Sequence, residues 1–325
     1  MIQRNTALKF FAFLITILLV AILIMQISIT DVIITLLSIK PTYLIGGLFF
    51  YFGTYLMRAV RFSLLLNHSV NVRELVPLMC IHNMMNTIFP VRTGEISYIY
   101  LLKKVHKRTT GEGVATLVVS RVFDFILTIL LLIVSAFFIH NIPTIVMSFL
   151  WLVIFILFLL LILIIALISY GHSFLTLFGR ILAILDIEKT KAGKLLFQKG
   201  EETIESFEKM NIRRVIIPVI FISLFIWLFN IATMYLIFIG MKITIPIQNI
   251  VFGATFLNIA MFLPINGIAG FGTTEAMWTL IFIPLGMTTD EAIISGFSYH
   301  IISLIYILLF GLIGSCIIKW KNATE

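Results

Sequence analysis

The chain has 325 residues, 61% hydrophobic and 12% charged, with mean hydropathy +1.13 and a formal net charge of +8. A soluble domain carries about 45–50% apolar and about 25% charged residues, so this composition excludes one and specifies a polytopic membrane protein. The basic excess serves as a topology signal and attracts anionic head groups; no motif supports a nucleic-acid partner, and none is expected.

In chain order, Arg4 and Lys9 open an apolar run that lacks a small-residue cleavage site and is read as a retained first span, about Leu8 to Ile27. A short linker with Asp31, Lys40 and Pro41 leads to a second span, about Tyr43 to Leu66, carrying Arg58 and Arg61 on one face near its end. The next apolar run, Leu75 to Pro90, reaches only about 24 Å as a helix against a hydrocarbon core of about 30 Å. It breaks at Asn86 to Glu95, NTIFPVRTGE, and continues as ISYIYLLKK toward Lys103, Lys104, Lys107 and Arg108. Proline, glycine and paired charges inside such a run predict a re-entrant hairpin.

A third span, about Val114 to Ile139, holds Arg121 and Asp124 three residues apart on one face. After the turn His140 to Pro143, a fourth span, Thr144 to Ser169, has no ionisable residue and is expected to face lipid. Residues 170–214 mix lysines and glutamates as amphipathic surface helices do. A fifth span, about Val215 to Ile239, precedes a second broken stretch, Asn258 to Glu275, NIAMFLPINGIAGFGTTE, again in the order Asn, Pro, Gly, Glu. A sixth span, about Ala292 to Ile318, carries His300. Cys80 and Cys316 have no metal-like spacing, and neither a metal nor a cofactor is expected.

Placing both termini, residues 58–108 and residues 170–215 in the cytoplasm gathers 20 of the 23 lysines and arginines on one side. The expected fold is therefore an all-α, multi-pass cell-membrane protein with about six transmembrane helices and two re-entrant hairpins that enter from opposite faces. Each half reads span, span, hairpin, span with opposite orientation. Residues 1–142 and 143–325 of one integral domain are thus expected to form an inverted-topology repeat, an arrangement that in transporters converges on a midplane site. The alternative is two independent loops among seven or eight helices.

Candidate binding residues follow from charge placed where lipid is expected. Arg58, Arg61, Arg92 and Arg121 can hold a phosphate, and Glu95, Asp124 and Glu275 can balance or relay charge. Asn86, Asn258, Gly270 and Gly272 supply polar contacts and close backbone approach. Each has a plainer reading: a solvated loop for Arg92 and Glu95, a packing pair for Arg121 and Asp124, snorkelling for Arg58 and Arg61, helix packing for the glycines. His300 reads as a satisfied core histidine rather than a proton carrier. The motifs of zinc peptidases, α/β-hydrolases and P-loop ATPases are absent.

The pieces MRAVRFSLLL, NTIFPVRTGEISYIYLLKK, SRVFDFILT and LPINGIAGFGTTEAMW, in this order, resemble the lysylphosphatidylglycerol synthase transmembrane-region, or flippase-like, family. It includes the membrane half of the multiple peptide resistance factor. The resemblance implies lipid translocation, with Arg58, Arg61, Asn86, Pro90, Arg92, Gly94, Glu95, Arg121, Asp124, Pro264, Gly270, Gly272 and Glu275 as family-type residues. Ser97, Tyr98, Tyr100 and Ser120 depart from its charge pattern, so the head group is left open. The resistance factor's soluble aminoacyl-transferring domain has no counterpart here, and synthesis of aminoacyl lipid is not expected.

The function expected is ATP-independent transport of a lipid with an anionic or polyprenyl-phosphate-linked head group, by a protein that is not an enzyme. The alternatives are a membrane transferase acting on a lipid phosphate and a non-transporting partner of a lipid synthase or glycosyltransferase. A transferase needs its carboxylate and a second substrate pocket near the cytoplasmic surface, whereas a transporter needs a polar cavity joining both hairpins.

Overall fold

The computed structural model describes residues 29–89, 93–139, 144–184, 190–210, 212–260 and 268–324. Within these residues the regular structure is twelve α-helices and one 3₁₀ turn. The expected first span and the tips of both broken stretches lie outside the described residues.

Helix α1 (Ile29–Ser38) occupies what the sequence reading treats as a linker. Its buried Val32 packs with Ile293 and Phe297, and Asp31 in its first turn complements the positive helix end. Five longer helices are apolar and long enough to cross a membrane: α2 (Pro41–Leu65), α5 (Thr110–Phe138), α6 (Thr144–Ser169), α9 (Ile212–Gly240) and α12 (Thr289–Thr324). They coincide with the second to sixth expected spans. Both α5 and α12 start three to four residues earlier than hydropathy suggests, because each opens on a T-x-x-E cap. The amide of Thr109 donates to Glu112 at 2.8 Å and that of Thr288 to Glu291 at 3.0 Å.

Between these spans lie shorter helices: α3 (Val72–Ile88), α4 (Thr93–His106), α10 (Ile247–Ala260) and α11 (Thr273–Phe282). At 1.5 Å per residue they reach roughly 15–26 Å, less than the hydrocarbon thickness of about 30 Å. α3 packs against α4, and α10 against α11, as the two arms of a hairpin. The remaining pair, α7 (Gly171–Ile184) and α8 (Lys191–Lys209), carries the mixed lysine and glutamate segment; α8 lies against α5.

The packing follows a reciprocal scheme. α2 and α9 form the most extensive helix pair. The first arm of the first hairpin, α3, packs on α12, and the first arm of the second, α10, packs on α5. The apolar core runs through both halves: Trp278 of α11 is fully buried, stacks on Phe238 of α9 with ring centroids 5.5 Å apart, and donates to Ser295 of α12 at 3.0 Å. That single side chain fixes the second hairpin against two spans, combining large apolar burial with a satisfied indole N–H.

At the first hairpin the two arms meet with no room for a side chain at Gly94. A Cβ there would stand 2.2 Å from the His82 carbonyl oxygen and 2.5 Å from the Asn86 side chain. Gly94→Ala should therefore force α3 and α4 apart at an overpacking cost of about 1–3 kcal/mol. Thermal unfolding of the purified variant in detergent should show the lowered midpoint.

Candidate functional site

The intramembrane charges form one chain of contacts. Arg61 of α2 donates to Asp124 of α5 at 2.6 Å and 3.4 Å and to Ser223 of α9 at 3.0 Å. Arg121, one turn before Asp124, donates to Glu95 of α4 at 2.8 Å and lies 3.6 Å from Asp124. Two arginines and two carboxylates thus tie the second and third expected spans to the far arm of the first hairpin. Each charge offsets the desolvation of its neighbour, which is the condition for keeping them in an apolar setting.

Beside this network lies a cavity of about 280 Å³. The second span contributes Tyr51 and Arg58; the first hairpin contributes His82, Asn83, Asn86 and Thr87; α5 contributes Arg121. From the second broken stretch come Asn258, Ala269, Gly270 and Thr274, and from α12 Tyr299, His300, Ser303 and Ile307. One polar space therefore joins both broken stretches.

Several of its polar atoms lack a partner. Arg58 Nε, Asn86 Oδ1 and Thr274 Oγ1 are buried without hydrogen bonds, although Thr274 is only 7% exposed. Among the described residues Arg58 forms no ion pair, in contrast to Arg61 and Arg121. Buried donors and acceptors cost about 1–3 kcal/mol each when unsatisfied, so their convergence on one space marks a place for a polar ligand or ordered water.

The two histidines are held differently. His82 meets the Gly94 carbonyl through Nδ1 at 2.8 Å and the Asn86 amide through Nε2 at 3.3 Å. Nδ1 donates and Nε2 accepts, which is the pattern of a neutral ring. His300 faces acceptors on both sides: the Ala269 carbonyl lies 3.0 Å from Nε2, and Glu275 Oε1 lies 2.5 Å from Nδ1. The other Glu275 oxygen accepts the Gly272 amide at 2.7 Å. Gly272 precedes α11 with φ of 79°, a left-handed conformation that suits glycine and turns its N–H toward the carboxylate.

Of the residues singled out from the sequence, Arg58, Asn86, Arg121, Asn258 and Gly270 line the cavity. Glu95 sits behind Arg121; Glu275 and Gly272 sit behind His300. Arg61 and Asp124 line an adjoining space of about 30 Å³ that shares Arg58, His82 and Arg121 with the cavity, and Arg61 is already engaged there. Arg92 lies outside the described residues. The sequence reading passed over His82, Asn83 and Thr87. Their signal was present: with Asn86 they recur at i, i+1, i+4 and i+5, one polar face on an otherwise apolar arm. Thr274 and Ser303 gave no such signal.

The family described as lysylphosphatidylglycerol synthase TM region matches residues 9–311. A UPF0104 membrane protein of Methanocaldococcus jannaschii is 29% identical over 231 residues, covering 70% of this chain and 91% of its own length. No solved structure matches the chain. With its membrane-spanning helices, its hairpins and this match over most of its length, the chain belongs to the lysylphosphatidylglycerol synthase TM-region family.

Proposed function

We propose that this protein is an ATP-independent lipid flippase that receives an anionic head group, of a phospholipid or a polyprenyl-phosphate-linked lipid, in the cavity between the two hairpins. The observation that carries this reading is the polar cavity of about 280 Å³ with Arg58, in no ion pair among the described residues, at its wall, inside a chain whose flanking helices are built for lipid. A guanidinium without a carboxylate partner is suited to a phosphate, which accepts its planar fork of donors. Arg121 holds Glu95 and adds a second donor group to the same wall. Asn86, Asn258 and Thr274 supply the neutral contacts that a head group needs when it leaves water.

Transport across the bilayer is supported by internal correspondence. Exchanging α2 with α9, α3 with α10, α4 with α11 and α5 with α12 carries the principal packing pairs onto one another. The correspondence extends to chemistry. Arg121 and His300 each stand twelve residues beyond the threonine that caps their helix, and each pairs with a glutamate in the first turn of a hairpin's second arm. Asn86 and Asn258, near the ends of the two first arms, both line the cavity. These equivalences support two inverted repeats, residues 1–142 and 143–325, rocking about a shared site. The cavity joins both hairpins, which favours a transporter over a transferase with its carboxylate near one surface.

Arginines 58 and 61 separate the site from its scaffold. In proteoliposomes carrying fluorescent phosphatidylglycerol or a polyprenyl phosphate, Arg58→Gln should lower translocation by roughly 10–100-fold, the worth of one charge-assisted contact, with little change in thermal stability. Arg61→Gln should instead lower stability by about 1–3 kcal/mol, because Ser223 loses its donor and Asp124 keeps, among the described residues, only Arg121, 3.6 Å away. Equal translocation by wild type and Arg58→Gln, or none of either lipid, sinks the proposal.

Orientation is checked separately. The charge distribution supports a cytoplasmic location for the α4 end and both termini. In a cysteine-free background, a membrane-impermeant maleimide added to intact cells should label Lys242→Cys and leave Lys107→Cys untouched. The opposite pattern inverts the topology.

A further inference from the structure

The two glutamate pairs at equivalent places differ in one chemical respect. Glu95 faces Arg121, whose guanidinium holds its proton throughout the accessible pH range, whereas Glu275 faces His300, which can release one. The hydrogen-bond partners of His300 require a proton in that pair. Nε2 faces a carbonyl and must carry a hydrogen, so the contact of 2.5 Å between Nδ1 and Glu275 Oε1 also needs one. Whichever partner holds it, the pair as drawn is electrically neutral and contains one labile proton. Glu275 is fully buried, yet His300 borders the cavity.

Resting on the reading of that cavity as an anionic head-group site, we propose that the His300–Glu275 pair is a proton-binding site linked to the lipid, so that lipid is bound with the pair proton-loaded and leaves as the proton leaves. Two consequences of proton loss drive the linkage. Electrically, departure of the proton to water leaves a net negative charge at the cavity wall, which opposes an anionic head group. Mechanically, the one hydrogen left on the ring can serve Glu275 or the Ala269 carbonyl but not both. One of the two bonds that tie α12 to the second broken stretch is therefore lost. Linkage is reciprocal: bound anion raises the pair's hold on its proton by the same factor by which the proton strengthens the anion.

The groups facing the pair give no competing titration of the same kind. Across the cavity stand Arg58 and Tyr51 of α2, His82 of α3 and Arg121 of α5, with Tyr299 on α12 itself. His82 is satisfied as a neutral ring, and the arginines keep their charge. α11 brings no other ionisable side chain. α1 brings Asp31, and α9 brings Arg214 and Tyr235; none of these lines the cavity. By sign, affinity for the anion is full while the pair holds its proton and falls as pH rises through its titration, by up to about tenfold per pH unit for a single linked proton.

Glu275→Gln is the informative variant, because it removes the labile proton while keeping every bond. The amide oxygen accepts from Gly272, the amide nitrogen donates to His300 Nδ1, and Nε2–H still donates to Ala269. Binding of short-chain phosphatidylglycerol should be measured at about pH 5.5 and about pH 8.5 for both proteins, beside infrared difference spectra of the carboxyl and imidazole regions over the same range. Wild type should bind at least about tenfold more weakly at the higher pH and show a titrating carboxyl or imidazole band. Glu275→Gln should bind equally at both pH values and lack the band. Equal pH dependence in the two proteins, or none in wild type, overturns the proposal. Absence of lipid binding at every pH overturns it too, but with that band still titrating, the fault lies in the lipid reading rather than in the proton site.

Discussion

Charge that must not be left alone in an apolar medium is the constraint from which the rest of this structure follows. Arg61, Asp124, Arg121 and Glu95 form a closed set in which each ion has a partner of opposite sign, and the set spans three helices from three places in the chain. Removing one member strands another, so the network pins α2, α5 and α4 in one relative arrangement. That rigidity has a local consequence. It holds Arg58, one turn before Arg61, against the cavity with no carboxylate of its own among the described residues. The network is thus largely scaffold, and Arg58 beside it, with Arg121 at the same wall, forms the candidate site.

A second constraint comes from length. Apolar helices too short to cross a bilayer leave free backbone ends that need protein or water around them. Here the short arms pair as hairpins, and each first arm is covered by the last span of the other half. The result is a centre where backbone ends, asparagines and glycines can be polar without facing lipid.

Much of this was legible in the sequence because hydropathy and hard charges are strong signals. Five of the six expected spans stand where apolar runs placed them, whereas the pairing of Glu95 with Arg121 was not foreseen, because residues twenty-six apart are brought together only by folding. Helix starts were misjudged at α5 and α12, since a capping T-x-x-E is polar and reads as loop on a hydropathy scale although it begins the helix. The helix Ile29–Ser38 was missed for a related reason: its aspartate marks a first turn, not a linker. His300 is the buried, hydrogen-bonded histidine expected, but its partners could not be read from a lone histidine on an apolar helix. Glu275 is twenty-five residues away, and only folding brings the two together. Arg58 and Arg61 look alike in sequence, and which of them is engaged depends on a serine from α9 and an aspartate from α5.

The central claim is that a lipid head group occupies the space between the hairpins with its phosphate on Arg58. Electron cryo-microscopy of the protein in nanodiscs rich in phosphatidylglycerol tests it most directly. The account predicts head-group density within hydrogen-bonding reach of Arg58, between the Asn86 end of α3 and the Thr274 end of α11, with acyl chains leaving between helices. A cavity filled by packed side chains, with lipid confined to the outer surface of the helices, would contradict it.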